Sequence, residues 1–116
     1  MRHENLYLND IVEAADDIAQ FLVGVETQSF RESDLLRSAV VHKLSVIGEA
    51  AVRLSDALKE RNPEVPWAQI VGFRNILIHA YFGIDWEVVW EAAREGCPIL
   101  REQIARILVT ESGQPE

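Results

Sequence analysis

The feature that most constrains this chain is an apolar repeat at three- and four-residue steps that runs almost from end to end. Leu8, Ile11, Ala15, Ile18, Leu22 and Val25 recur at those steps, which predicts one helix face over about residues 5–24. Leu36, Val40, Leu44, Ile47, Ala51, Leu54 and Leu58 predict a second helix over about residues 34–60. Trp67, Ile70, Val71, Phe73, Leu77 and Ile78 mark a third, and Trp86, Val89, Ala93, Leu100, Ile104 and Leu108 a fourth. No stretch alternates apolar and polar residues as a half-buried strand does.

The punctuation fits. Polar residues 26–29 end the first helix; Ser29 with Glu32 forms a candidate capping box, with Ser33 or Asp34 as a later start. Asn62-Pro63 and Val65-Pro66 stop the second helix, and Pro66 suits the first turn of the third, where its missing N–H would be unpaired anyway. Gly83 is a candidate C-terminal cap and Asp85 a candidate N-cap. Gly96-Cys97-Pro98 should kink the fourth helix, because Pro98 removes a donor and crowds the turn before it. The expected fold is an all-α bundle of four main helices, one domain over residues 1–110 with a tail over 111–116.

At 116 residues and 48% hydrophobic, the chain can bury a core without disulfides or metals. Cys97 stands alone, which excludes an intrachain disulfide and a cysteine metal cluster and makes a small buried side chain its simplest reading. No apolar run approaches the roughly 18 residues of a membrane span, and Met1-Arg2-His3-Glu4-Asn5 does not begin a signal peptide. A reducing cytoplasm is the expected compartment. The net charge of −8 argues against broad electrostatic binding of nucleic acid. The charge is uneven, however: Glu4, Asp10, Glu13, Asp16 and Asp17 crowd the first helix, as a solvated face or a surface for a basic partner, whereas Val65 to Ile84 holds no acid and Arg74 as its only formal charge.

That acid-free stretch contains Arg74, Asn75, His79 and Tyr81. On a straight helix Asn75 and His79 share one face, and Arg74 and Tyr81 share a neighbouring one. Arg74 and His79 point about 140° apart, so one straight helix does not aim them at one spot. Unwinding before Gly83, or a second copy across a two-fold axis, would bring them together. Arginine presents a planar fork of donors that fits a phosphate, histidine passes protons near neutral pH, and asparagine orients a proton or a phosphate oxygen. Together they suit RNA cleavage by the RNA's own 2′-hydroxyl, which needs no metal and no cofactor. His79 also lies near a helix C-terminus, a position that suits positive charge. The plain alternative is an arginine paired with an acid, a boundary histidine, and a half-buried tyrosine with its hydroxyl in water.

Outside this stretch, Glu49 and Arg53 are spaced for a helix ion pair; with His42 they form one stripe that could line a cleft beside the motif. His42 and Glu49 supply too few ligands for a metal. Trp67, Trp86 and Trp90 have the spacing of packing residues, with base stacking as the alternative.

Arg74-Asn75-Ile76-Leu77-Ile78-His79-Ala80-Tyr81 resembles the R-x4-H-x-Y signature of HepT-like toxins in the HEPN ribonuclease superfamily. Val46 to Ser55, Asn62 to Trp67 and Phe82 to Trp90 resemble other segments of that family, in order and over nearly the whole chain. The resemblance implies a HEPN-type bundle, a homodimer with two motifs in one cleft, and metal-independent endoribonuclease activity that leaves a cyclic phosphate. Arg74, Asn75 and His79 would be catalytic. It also implies a type VII-like toxin–antitoxin pair, in which a MntA-like minimal nucleotidyltransferase transfers AMP to Tyr81 and silences the enzyme. Two other readings compete: a non-catalytic helical dimer that binds and regulates a nucleotidyltransferase, and a structural bundle with no ligand.

Overall fold

The apolar stripes become buried or half-buried helix faces, except at Ile78, which is exposed. The computed structural model describes residues 2–112, and among them the chain is helical with no strand. In α1 (Arg2–Phe21), Leu8, Ile11, Ala15 and Ile18 are buried, as is Leu22 just beyond the helix. Each buried leucine or isoleucine contributes roughly 1.5–3 kcal/mol relative to exposure. Gly24 then adopts a left-handed conformation, φ 72°, in the turn that leads to α2 (Thr27–Glu32). The expected capping role of Ser29 does not hold, because Ser29 lies inside α2. Ser33 takes that role for α3 (Asp34–Arg53), its Oγ accepting the Leu36 N–H at 3.0 Å.

The second helix is shorter than its apolar repeat predicts. Leu54 and Ser55 are both extended, with ψ of 147° and 154°, so the run splits into α3 and α4 (Asp56–Arg61). The cause comes from elsewhere in the chain. Glu4, buried to 7% exposure, accepts the Ser55 N–H at 2.7 Å and the Ser55 hydroxyl at 3.0 Å. Ser55 Oγ in turn accepts the Leu58 N–H at 3.1 Å and caps α4. A buried carboxylate thus meets donors that an unbroken helix would have turned inward. Glu4→Ala should lower unfolding free energy by about 1–3 kcal/mol, because it strands the Ser55 N–H. Chemical denaturation measures this, and a change near zero would show that the break forms without Glu4.

α5 (Trp67–His79) packs on α3, while α1 packs against both α3 and α7 (Cys97–Ser112). Pro66 precedes the first helical residue of α5, and its carbonyl accepts the Ile70 N–H at 3.0 Å. Trp67 is buried and its Nε1 donates to the Asn62 carbonyl at 2.9 Å, so it serves packing. The bundle stays open along one side. There α5 and α7 flank a groove of about 500 Å³ whose lining includes Leu44, Ile47, Ile70, Phe73 and Leu100.

The last helical run starts at α6 (Trp86–Glu91), where Asp85 accepts the Glu87 N–H at 3.0 Å, as the N-cap expectation requires. It passes through a π-helical turn, Ala92–Gly96, into α7. The Cys97 N–H reaches the Ala92 carbonyl, a five-residue step that widens the backbone just before Pro98. Pro98 would otherwise crowd the carbonyl four residues back. Cys97 is buried, and desolvation pushes its thiol up to about 12, in keeping with an inert packing role. α7 continues to Ser112, with Glu111 paired to Arg61 at 2.9 Å. The expected tail over 111–116 therefore begins inside this helix, and residues 113–116 lie outside the described residues. Among the described residues no helix is long and apolar enough to cross a membrane.

Candidate active site

α5 carries Arg74, Asn75 and His79 in its second half, and His79 is its last residue. Ala80 leaves helical geometry (φ −127°, ψ 36°) while its N–H still reaches the Ile76 carbonyl at 2.9 Å. Tyr81–Gly83 form a 3₁₀ turn. Gly83 is not the left-handed cap expected of it, since Gly24 alone among the described residues has positive φ.

The point of unwinding matters. It falls after His79, so Arg74 and His79 both remain on regular helix and keep their angular separation. Tyr81, by contrast, lies beyond the helix end, so the face it would share with Arg74 on an unbroken helix is not continued. Its ring instead meets Trp86 edge-on at 6.2 Å and Phe82 at 5.7 Å. Trp86 leans on Phe30 at 6.4 Å and Trp90 on Phe30 at 5.2 Å, so both tryptophans are packing residues.

Arg74 is anchored. Its Nη1 donates to Asn75 Oδ1 at 2.8 Å, and its Nη2 donates to Glu49 Oε2 from α3. Glu49 also faces Arg53 Nη2 at 3.9 Å, so one carboxylate stands between two guanidinium groups. Asn75 and His79 are exposed, and among the described residues no hydrogen bond joins His79 to Arg74 or Asn75. Tyr81 is 38% exposed. The structure therefore joins Arg74 to Asn75, keeps His79 one helical turn beyond Asn75 with no hydrogen bond between them among the described residues, and places Tyr81 past the helix end.

His42, Glu49 and Arg53 line one cleft of about 370 Å³, along with Tyr7, Asp10 and Ile78. Among the described residues no group of three or more His, Cys, Asp or Glu side chains is placed to hold a metal ion.

The family model described as ribonuclease HepT-like matches residues 11–107 of this chain, the motif and the helices that carry it included. The chain belongs to the HepT-like family. A candidate RNase of Methanocaldococcus jannaschii is 37% identical over 103 residues, covering 89% of this chain and 94% of that protein. A candidate RNase of Caldanaerobacter subterraneus is 32% identical over 111 residues, covering 96% and 99%. The protein named probable ribonuclease HepT of Thermococcus cleftensis is 35% identical over 101 residues, covering 87% and 92%. No solved structure matches the chain significantly.

Two features of this HepT-like chain escape a reading of the motif alone. Gly48 of α3 lies directly against Arg74: a Cβ built there would stand 2.2 Å from Arg74 Cβ. The signal was a glycine in the middle of an apolar helical pattern, where it weakens a helix unless something must come close. The second is Phe82, which is fully exposed beside Tyr81. Nothing in the spacing distinguished it from a core aromatic.

Proposed function

We propose that this chain is the ribonuclease toxin of a type VII-like toxin–antitoxin pair, a metal-independent endoribonuclease acting through Arg74, Asn75 and His79. The observation that carries this is an arginine oriented by Asn75 and Glu49, with an exposed histidine at the end of the same helix, in a chain matched to the HepT-like family over residues 11–107.

The chemistry is transesterification followed by release. The RNA 2′-oxygen attacks the adjacent phosphorus, a 2′,3′-cyclic phosphate forms, and the bond to the 5′-oxygen breaks. A neutral imidazole takes the 2′-hydroxyl proton, and a protonated one supplies the departing 5′-oxygen. Arg74 holds the non-bridging oxygens as their charge grows. Asn75 orients the arginine.

The active form is a homodimer. Within one chain α5 keeps Arg74 and His79 on different faces, so a second copy must supply the opposing group; two copies of His79 in a shared cleft then fill both proton-transfer roles. Exposed Ile76, Ile78, Phe82 and Val88 lie in and just after the motif and supply apolar surface for that contact. A MntA-like nucleotidyltransferase antitoxin transfers AMP to Tyr81. The bulky anion then excludes RNA from the cleft and repels its backbone.

The test uses protein purified free of its partner, a short single-stranded RNA, and EDTA. Cutting with a cyclic phosphate end is expected; intact RNA sinks the ribonuclease reading. Co-expression with a MntA-like nucleotidyltransferase, followed by intact mass and peptide mapping, should show one adenylate on Tyr81. An unmodified protein that also leaves RNA intact would instead be a non-catalytic adaptor.

A further inference from the structure

A catalytic arginine is useful only if its fork stands where the phosphate arrives. Its long side chain has many rotamers, and holding one of them costs conformational entropy. In this chain two adjacent residues of α3 restrict Arg74 from one side. Gly48 has no side chain, and the stem of Arg74 fills that space: a Cβ at position 48 would fall 2.2 Å from Arg74 Cβ and 2.5 Å from its Cγ. The next residue, Glu49, accepts from Arg74 Nη2. Packed this way, the Arg74 side chain is only 23% exposed, and its Nε is buried with no hydrogen-bond partner among the described residues.

A simple brake would leave Glu49 with one partner, Arg74, and make phosphate compete for it. The observed carboxylate has two, with Arg53 Nη2 at 3.9 Å on its other oxygen. When an RNA phosphate engages Arg74, Arg53 remains to balance the Glu49 charge, so the carboxylate can stay in place.

We propose that Gly48 and Glu49 form a seat that positions Arg74 for the phosphate, with Arg53 holding Glu49 in charge balance. Glu49 is a positioning residue and makes no contact with the reacting atoms. The proposal rests on the ribonuclease reading for its effect on cutting, but the seat itself can be measured without RNA.

The direct measurement is the Arg74 Nε–H signal in a ¹H–¹⁵N spectrum of the full chain. Buried behind the seat, it should exchange slowly with water in the wild type. It should exchange fast, or vanish, in Glu49→Ala and Gly48→Ala. Glu49→Gln keeps shape and one acceptor, and should retain part of the protection even if Gly48→Ala fails to fold.

The second measurement is cutting. A misplacement near 1 Å can cost about 100-fold in rate. Glu49→Ala should therefore lose about that much, mainly in kcat, with Glu49→Gln between it and the wild type. Faster cutting by Glu49→Ala would make Glu49 a brake and overturn the seat. So would a lost kcat with an unchanged Arg74 signal. If the wild type cuts no RNA, the ribonuclease reading fails, while the exchange measurement still decides whether the seat exists.

Discussion

His79→Ala should slow RNA cleavage by about 100- to 10,000-fold, the range spanned by a positioned proton donor or acceptor. His79 ends α5 and is exposed, so alanine there forfeits little packing. Far-UV circular dichroism and the unfolding midpoint should therefore match the wild type. Arg74→Ala should be comparably inactive for a different reason: the growing charge on the non-bridging oxygens loses its fork of donors. It should be less neutral for the fold, because it leaves Glu49 with Arg53 alone and empties the space over Gly48. His3, exposed near the start of α1 and outside the motif segment, serves as the control, and His3→Ala should cut at the wild-type rate. Wild-type cutting in both motif variants would remove these residues from the mechanism.

Phe30→Ala should be the most damaging single change to stability. Phe30 is fully buried in α2, a helix of six residues, far too short to persist without packing. Its ring meets Trp86 at 6.4 Å and Trp90 at 5.2 Å, and Trp86 in turn supports Tyr81 at 6.2 Å. Removing a buried phenyl costs about 3–5 kcal/mol, a large share of the 5–15 kcal/mol that ordinarily holds a domain together. Urea denaturation should show the loss. Because the ring is the base of a stack that ends at Tyr81, the turn after α5 should loosen too, and hydrogen exchange at residues 81–84 should rise. A cost below about 1 kcal/mol would mean that α2 is held by something other than this ring.

The all-helical fold and its four main helices were legible because the apolar period is a local property. Stripe positions such as Leu8, Ile18, Leu44, Leu77 and Ile104 could be assigned from neighbours three and four residues away, whereas buried Phe30, Val41 and Val65 fall outside the stripes and Ile78, within one, is exposed. Ser33 and Asp85 were legible as caps for the same reason, since a cap bonds within its own first turn. The motif was legible as a set of residue types whose chemistry suits a phosphate, and its resemblance to HepT-like proteins ran through nearly the whole chain.

What the sequence by itself determined was the local part: the apolar helical period, the faces of the long helices, and which side chains α5 carries in its second half; it did not mark α2, which begins in the polar stretch at 26–29. Tertiary structure decided the rest, because it depends on groups far apart in the chain. The break at Leu54-Ser55 follows from a carboxylate at Glu4, 51 residues away. The stretch around Arg74 is free of acids in sequence but not in space, since α3 brings Glu49 to it across 25 residues. Gly48 makes that approach close enough to matter. Tyr81 left the face of Arg74 because the helix ended two residues earlier and Trp86 offered its ring a place to pack. Local periodicity encodes a helix; only packing decides which distant charge stands beside an arginine.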